Sequence, residues 1–533
     1  MIPTHKQRLM TLIILALFLS PAFLQGCDAL VGERADDGVP DGVAAVSAVS
    51  GASKFRHAHL LDKTRIGAGK IGTDAVNLVI GFNEYEADGV TRRLMDRFAV
   101  TKRLLSRYGD SIRPKVETED VLPAITVQLD ADSLESLIDF IDEDPDIAWV
   151  EPDALLDGPG TSSQEAVSNT QYISWGVKHV GARQTDIYTG NDLVHVYVFD
   201  SGVTNDDVNV VESVDFTRLY RGNIDGNWSD VISTYWLEQD DYWSTYWTAD
   251  WSAVTPGETV SGSVGSEDRL GHGTHVAGII GAIDDRNGVA GVAPNVAIHN
   301  IKVLANDGRT DITTVLAALE YVTTVKHHHP DMPIVVNMSL GADIGTTGYN
   351  ALDEAIEHAI EDGIVVVVAA GNNGKDASTY SPAHVRDAIT VGAFDESGTF
   401  SSFSNHGSVV DLLAPGEFIV SLSNVNNKFL AIQAGTSQAA PHVAGAAALY
   451  LTRHPAASPY EVQQALVDMG KAGISHVPAG TTNRSVYVGD IVSSPSALSG
   501  YIEPAAIAVE ELSTTDTSTR GGKGASSTAR GRK

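Results

Sequence analysis

Apolar runs of strand length alternate with helical periodicity through the central part of the chain. The runs LVHVYVFD, AIHNIKVL, PIVVNMSL and GIVVVVAAGN predict strands, and residues 311–326 and 350–361 predict helices. This alternation favours a mostly parallel sheet with helices on both faces, an α/β fold. Functional side chains of such sheets gather where strands end, and Asp200, Ser339 and Asn372 stand at such ends.

A shorter pattern precedes this region. The runs VNLVIGFNEYE, AITVQLD and IAWVEPD predict strands, and residues 91–109 and 133–143 predict helices. Residues 75–156 are therefore predicted to form a small α+β domain of the ferredoxin-like type. Residues 157–171 are small and polar, as in a cleavable linker, and residues 172–490 form the large domain.

The amino-terminal residues have the three zones of a secretory signal. In residues 1–27, basic side chains precede an apolar run, which is followed by LQGC. The ending resembles a bacterial lipobox, which predicts lipidation of Cys27; the alternative is an ordinary signal peptide cut elsewhere. Because Cys27 is the only cysteine, it can form no intramolecular disulfide.

Three further segments differ from the rest in composition. Residues 28–74 are rich in Gly, Ala, Ser and Asp and predict a flexible tether, and residues 491–533 predict a disordered tail. An insertion at about 214–265 holds five of the seven tryptophans. These rings either contact a substrate or partner, or form the insertion's own small core.

Charge and motifs exclude other functions. The formal net charge of −32 argues against binding to nucleic acid, since phosphate neutralisation needs a basic surface. No HExxH metalloprotease motif is present. The run His327, His328 and His329 ends a predicted helix and is interpreted as solvated histidines rather than as a metal site.

Four residues stand in settings suited to acyl transfer by serine. Asp200 ends a strand in VFDSG, His272 lies in GHGTHVAG, Asn372 follows VVVVAAGN, and Ser437 opens a helix in GTSQAAPHVAG. This chemistry needs a nucleophile, a base, an acid that orients the base, and donors for the oxyanion. The order Asp, His, Ser is that of subtilisins rather than of chymotrypsin-like enzymes or α/β-hydrolases.

Together these stretches resemble the subtilase family, within it the proteinase K type, over roughly residues 172 to 490. Further matching stretches are WGVKHVGA, GVAPNVAIHNIKVL, VVNMSLG and FSSFSNHGSVVDLLAPG. The resemblance implies a three-layer subtilisin-like fold and a serine endopeptidase. Ser437 would attack the peptide carbonyl, His272 would act as base and then acid, and Asp200 would hold the imidazole. Asn372 and the backbone N–H of Ser437 would bind the oxyanion.

The resemblance also assigns residues that bind substrate. They would clamp an extended peptide and line a roomy apolar pocket, which implies cleavage after hydrophobic residues; they are Gly308, Ser339, Leu340, Gly341, Ala369, Ala370 and Gly371. The chemistry requires no cofactor. Asp411 matches a calcium ligand, which implies a structural Ca²⁺; the alternative is a capped or solvated carboxylate. Gln438 stands where the family usually has methionine, which removes an oxidation-sensitive thioether.

The domain at 75–156 resembles the inhibitory propeptide of subtilases, which implies a self-processed precursor. The expected partners are protein or peptide substrates and this propeptide, with a membrane reached only through lipidated Cys27. We expect a monomer that is a cell-envelope lipoprotein as the precursor and is extracellular or periplasmic when mature. The alternatives are a catalytically silent binding module of the same fold and a processing protease of narrow specificity.

Overall fold

The computed structural model describes residues 54–56, 75–83, 97–118, 121–158, 163–166, 171–182, 194–218, 267–285, 287–345, 349–425, 429–489 and 491. The predicted signal with Cys27, nearly all of the tether, most of the tryptophan-rich insertion and the predicted tail after Ile491 lie outside these residues. Within them, no helix is long and apolar enough to cross a membrane.

The small domain has the order βαββαβ. Its strands are β1 (Ala75–Phe82), β2 (Ile112–Thr118), β3 (Ala124–Asp130) and β4 (Ile147–Pro152), and its helices are α1 (Arg97–Tyr108) and α2 (Leu134–Glu143). The antiparallel sheet has the order β2-β3-β1-β4, which is the predicted ferredoxin-like arrangement. Strand β2 has no counterpart among the predicted elements. Its sequence IRPKVET is mostly polar, and its proline is tolerated because the strand lies at the sheet edge.

The large domain alternates strands and helices as predicted. Its helices are α3 (Trp175–Val180), α4 (His272–Gly281), α5 (Ile312–His328), α6 (Ala351–Glu361), α7 (Thr436–Arg453) and α8 (Pro459–Met469). The strands of its main sheet are β7 (His195–Asp200), β8 (Val210–Asp215), β9 (Ala297–Lys302), β11 (Ile334–Met338), β13 (Val365–Ala369), β15 (Ile389–Phe394), β16 (Leu412–Pro415), β19 (Lys471–Ala472) and β20 (Arg484–Ser485).

Nine strands form this sheet, in the order β19-β20-β16-β15-β13-β11-β7-β9-β8. Every pair is parallel except β19 with β20. Alternate side chains of β7 enter different cores: Val196 and Val198 pack with α4 and α7, whereas Tyr197 and Phe199 pack with α5 and α6. The predicted three-layer α/β fold is therefore confirmed.

Short strands at the sheet's margins include β5, at the end of the predicted small domain, and β6, in the predicted linker. Strand β5 (Leu155–Asp157) pairs with β10 (Arg309–Asp311), and β6 (Ser163–Ala166) pairs with β18 (Phe429–Gln433). Strand β18 also pairs with β17 (Ile419–Leu422), and β12 (Ala342–Asp343) pairs with β14 (Tyr380–Ser381). Strand β6 has the polar sequence SQEA and no apolar periodicity, and its extended form comes from pairing with the distant strand β18.

Candidate active site

A buried hydrogen-bonded pair of side chains, Asp200 and His272, lies at the carboxyl end of the central strand β7. Nδ1 of His272 lies 2.8 Å from Oδ1 and 2.9 Å from Oδ2 of Asp200, and each residue is only 1% exposed. This contact gives the proton to Nδ1 and leaves Nε2 with a lone pair. Among the described residues Nε2 has no hydrogen-bond partner, so it is free to accept a proton.

The loop before His272 is held by one carboxylate that the sequence analysis did not single out. Asp268 accepts hydrogen bonds from the backbone N–H groups of Leu270, Gly271 and Thr274 and from the hydroxyl of Ser201. Gly271, the N-cap of α4, has a φ of 85°, which favours glycine. The only signal in the sequence was an acid four residues before the histidine.

Ser437 lies in the first turn of α7, above the end of β11. Its Oγ donates to the carbonyl of Ser339 at 3.3 Å, while Oγ of Ser339 donates to the carbonyl of Ser437 at 2.9 Å. Strand β11 neighbours β7, which ends at Asp200, so three strand and helix ends meet here. This hydroxyl is therefore bonded to the Ser339 carbonyl and not to Nε2 of His272.

Asn372 lies beside this helix start with its amide oriented by one neighbour. Its Oδ1 accepts hydrogen bonds from the backbone nitrogen and the hydroxyl of Thr436 at 2.8 and 2.9 Å. The same hydroxyl accepts from the backbone nitrogen of Gly371 at 3.1 Å. The amide nitrogen of Asn372 is thereby left as a donor for a ligand.

The predicted substrate-binding residues fall on two edges around Ser437. Gly308 is the last residue of the turn before β10 and has a φ of 79°. The second edge consists of segments that follow β11 and β13, and its members are Ser339, Leu340, Gly341, Ala369, Ala370 and Gly371. Gly371 has a φ of 98°, and a Cβ there would lie 2.3 Å from Nδ2 of Asn405, so only glycine fits.

The chain itself lies along these edges on both sides of the site. Residues of β5 pair antiparallel with β10, and the N–H of Gly158 continues this ladder by donating to the carbonyl of Gly308 at 2.7 Å. Strand β6 pairs antiparallel with β18, with Ser163 opposite Ile432. Strand β18 ends at Gln433, shortly before Ser437 in the sequence. The segment that joins the two domains is therefore paired to the large domain twice, through β5 and through β6.

Two carboxylates of the small domain meet the amino-terminal ends of two helices of the large domain. Oε1 of Glu151 accepts from the N–H of Ala351 at 2.8 Å, and Oδ1 of Asp153 accepts from the N–H of Thr313 at 3.0 Å. Such free N–H groups and the helix dipole favour acidic partners. Burial nevertheless raises the pKa of Glu151 to about 8, and burial together with Asp311 raises the pKa of Asp153.

The large domain matches a known family of proteins. Residues 191–485, more than half of the chain, match the model of the subtilase family of peptidases. This chain belongs to the subtilase family. An extracellular serine proteinase of Thermus sp. (strain Rt41A) is 36% identical over 332 residues, 61% of this chain and 66% of that protein, just under two thirds of its length.

Two further similar proteins carry related names. Subtilisin DY of Bacillus licheniformis is 40% identical over 220 residues, which are 41% of this chain and 76% of that protein. A crystal structure of a cold adapted subtilisin-like serine proteinase aligns with 60% of this chain and 98% of its own, at 31% identity and a TM-score of 0.44. The Thermus relative is named a serine proteinase and the matched family is one of peptidases, which supports the predicted enzyme class for this subtilase.

Calcium was predicted at Asp411 of this subtilase chain. Its Oδ2 accepts from the N–H of Thr390 at 2.8 Å, and the side chain of Gln463 donates to the same carboxylate. Nε2 of Gln463 also donates to the carbonyl of Ala388 at 3.3 Å. Because amide N–H groups surround this carboxylate, it fits a cation less well than an acid with bare oxygens would.

A second carboxylate of this subtilase, that of Asp207, is a candidate ligand for a hard cation because one of its oxygens has no donor within the described part of the chain. Oδ2 of Asp207 is buried and has no hydrogen-bond partner among the described residues. Burial, and then the nearby charge of Asp285, raise the pKa of Asp207 to about 7. The backbone N–H of Val289 donates to this carboxylate, and the carbonyls of Ile283 and Val289 accept from Nε2 of Gln171. Carboxylates with backbone carbonyls are the ligands that Ca²⁺ prefers.

Two segments that the sequence analysis considered remain, the histidine run at 327–329 and the tryptophan-rich insertion. His327 contacts Asp362 at 3.0 Å at the exposed end of α5. No group of three or more His, Cys, Asp or Glu side chains in the described part of the subtilase chain is arranged to hold a metal ion. The five clustered tryptophans, Trp228, Trp236, Trp243, Trp247 and Trp251, lie outside the described residues.

Proposed function

We propose that this subtilase is an exported serine endopeptidase that is synthesised as a self-processing precursor. The proposal depends chiefly on one observation. The buried hydrogen bond between Asp200 and His272 holds an imidazole with a free Nε2 at the sheet edge where Ser437 opens α7. A nucleophile, an oriented base and a helix amino terminus are the requirements of acyl transfer.

The chemistry proceeds in two steps. Oγ of Ser437 forms a bond to the peptide carbonyl carbon while Nε2 of His272 takes its proton; this proton then passes to the leaving amine as the C–N bond breaks. Water next attacks the resulting ester and loses a proton to the same Nε2, which returns it to Ser437 as the acid product leaves. Asp200 keeps the imidazole oriented and stabilises its cationic form throughout.

The oxyanion of both steps would be bound by two donors. Nδ2 of Asn372 is the free donor of an amide whose oxygen is fixed by Thr436. The second donor is the backbone N–H of Ser437, which lies in the first turn of α7, where N–H groups have no partner within the helix. Removing one such side-chain donor costs about 3 to 4 kcal/mol in related chemistry.

The precursor form is supported by the positions of β5 and β6. Strands β5 and β6 occupy the edges where an extended substrate would add as a strand. The prodomain is attached further by Glu151 and Asp153 at the ends of α6 and α5. We infer that the prodomain inhibits the enzyme until self-cleavage in the linker at 157–171, and that lipidated Cys27 remains with the prodomain fragment.

A structural calcium ion belongs to the same proposal. The groups that would hold it are the orphaned oxygen of Asp207, the nearby carboxylate of Asp285, and the carbonyls of Ile283 and Val289, which also accept from Gln171. An ion there would neutralise the repulsion between Asp207 and Asp285 and tie the loop after α4 to the strand that follows β7. The ion has no part in the reaction.

The test compares the wild type with Ser437→Ala by mass spectrometry after expression. We expect the wild type to appear as two fragments cut within 157–171 and the variant to remain intact. A fluorophosphonate probe should label the wild type at Ser437 and leave the variant unlabelled. An unlabelled, uncut wild type would instead indicate the silent binding module.

Specificity and location need separate measurements. Cleavage of a peptide library at many sites after hydrophobic residues is expected, whereas a single preferred sequence would indicate a narrow processing protease. Cell fractionation should place the prodomain fragment in the membrane and the catalytic fragment in the soluble or extracellular fraction. A catalytic fragment anchored through its own amino terminus would contradict the role given to Cys27.

A further inference from the structure

Two buried glutamine side chains are joined next to the catalytic residues. Nε2 of Gln438 donates to Oε1 of Gln433 at 2.9 Å, and Nε2 of Gln433 donates to the carbonyl of Gly271 at 3.3 Å. Gln438 is 1% exposed and Gln433 is 5% exposed. The result is a short chain of hydrogen bonds inside the protein rather than a contact at its surface.

This chain of bonds connects the two residues that must exchange a proton. Gln438 directly follows Ser437 in α7, and Gly271 directly precedes His272 as the N-cap of α4. Gln433 lies between them as the last residue of β18. The separation between the start of α7 and the start of α4 is thus set partly by two amide groups.

Other bonds hold β17 and β18 to α4 and make Gln433 a rigid intermediate. Nε2 of His275 lies 3.0 and 3.2 Å from the carbonyls of Ile419 and Ala431, and Oγ of Ser421 donates to the carbonyl of His275 at 2.7 Å. With β18 fixed to α4 in this way, the bond between Gln433 and Gln438 extends the attachment to α7.

Amides are a costly way to fill a buried space. Each buried amide loses its hydration, and this loss is offset only while its hydrogen bonds are made. Two apolar side chains of similar length would fill the same volume without this requirement. What amides add is direction, since a hydrogen bond weakens steeply when its angle or length changes.

We propose that Gln433 and Gln438 are positioning residues that set the distance and direction between Oγ of Ser437 and Nε2 of His272. This inference rests on the proposed endopeptidase function and adds two residues to its machinery. Neither glutamine contacts the scissile bond in this role. A displacement of about 1 Å between reacting groups is enough to cost on the order of a hundredfold in rate.

The test uses three variants: Gln438→Met, Gln433→Leu, and the double variant with both changes. Each is assayed with a peptide p-nitroanilide, whose peptide part lies only on the acyl side of the scissile bond and whose turnover reports acylation. Each single variant should lower both the melting temperature and kcat, because it leaves a buried amide without its partner. The double variant should recover the melting temperature, since both polar groups are gone.

The decisive quantity is kcat of the double variant. We expect it to stay at least about tenfold below that of the wild type, with KM within about twofold, because the direction supplied by the amides is missing. The rate of inactivation by a fluorophosphonate should fall in parallel. If kcat and the melting temperature both return to wild-type values, the pair only fills space and the inference is wrong.

A matched control separates this outcome from general destabilisation. Gln463 is also a buried glutamine with two hydrogen-bonded partners, but it lies in α8, away from the candidate active site. Gln463→Leu should lower the melting temperature and leave kcat unchanged. Failure of the proposed function would look different, since the wild type would then show no turnover and no labelling at Ser437.

Discussion

The amide oxygen of Asn372 accepts two hydrogen bonds from one residue, Thr436, through its backbone nitrogen at 2.8 Å and its hydroxyl at 2.9 Å. Asn372→Ala should lower kcat by about 10²- to 10³-fold with KM little changed, because a donor to the oxyanion is lost. The measurement is steady-state hydrolysis of a peptide p-nitroanilide. A fall in kcat below about threefold would remove Asn372 from the oxyanion site.

Thr436→Val tests how that amide is oriented. The change removes the hydroxyl but keeps the backbone N–H and the shape of the side chain, so Asn372 retains one of its two bonds. We expect kcat to fall by about tenfold, less than in Asn372→Ala. Combining the two changes should cost no more than Asn372→Ala alone, since the hydroxyl acts through Asn372; additive losses would mean that Thr436 acts independently.

The prodomain should be held more weakly as the pH rises. Burial raises the pKa of Glu151 to about 8, so the complex favours the protonated acid while the free prodomain ionises near pH 4.3. The prodomain then binds the catalytic fragment most tightly below about pH 4.3, and its binding weakens as the pH rises to about 8. After self-cleavage, size-exclusion chromatography should show more free catalytic fragment at about pH 8.5 than at about pH 5.5.

Glu151→Gln is the control for this pH dependence. Glutamine keeps an acceptor oxygen for the N–H of Ala351 but has no charge to bury. The variant should stay bound to the catalytic fragment at both pH values. Equal release from the wild type and from Glu151→Gln over this range would show that Glu151 is not responsible.

Chelation should lower the stability of the enzyme through Asp207. In the Ser437→Ala background, excess EDTA is expected to lower the melting temperature because an ion bound only to the folded state stabilises it. Asp207→Asn should abolish this response, while Asp411→Asn should keep it. The response should also weaken below about pH 7, where Asp207 becomes protonated in the absence of the ion. If Asp411→Asn instead abolished the response to EDTA, the ion would bind at Asp411, as the sequence analysis predicts.

Two buried histidines should make the folded state sensitive to acid. Burial lowers the pKa of both His275 and His442 to about 3. The unfolded chain binds these protons near pH 6.5, so their contribution is fully present above that pH and is lost as the pH falls toward 3. Each accounts for at most about 1.4 kcal/mol per pH unit in this range.

Urea unfolding of the Ser437→Ala variant at about pH 7 and about pH 5 measures this slope. His442→Asn should reduce the stability at pH 7, since Nδ1 of His442 bonds to the carbonyl of Gln438. The difference in the free energy of unfolding between the two pH values should also be smaller in His442→Asn than in its parent. An unchanged slope would mean that His442 does not take up a proton on unfolding.

Local sequence patterns were sufficient for four of the nine strands of the main sheet, β7, β9, β11 and β13, and for the placement of the main catalytic candidates along the chain. The valine run of β13 and the alternation in β7 mark buried strands, so Asp200 and Asn372 could be placed at strand ends from the sequence. Glycines around His272 and Ser437 likewise indicated tight turns into helices. These features depend on neighbours within a few positions.

Other features depend on distant segments and could not be predicted in this way. Asp268 looks like any surface acid until its four donors are seen, and Gln433 and Gln438 are ordinary polar residues until the helices bring them together. Strand β6 has no strand pattern, because its pairing partner lies more than 260 positions later. The extended form of β6 is stabilised by its hydrogen bonds to β18.

The pairing of β5 and β6 with the large domain has a consequence for the rate of activation. Because the same polypeptide is already paired on β10 and on β18, the first encounter between this active site and a peptide bond requires no second molecule. Activation should therefore follow first-order kinetics, with a half-life that does not change when the precursor is diluted.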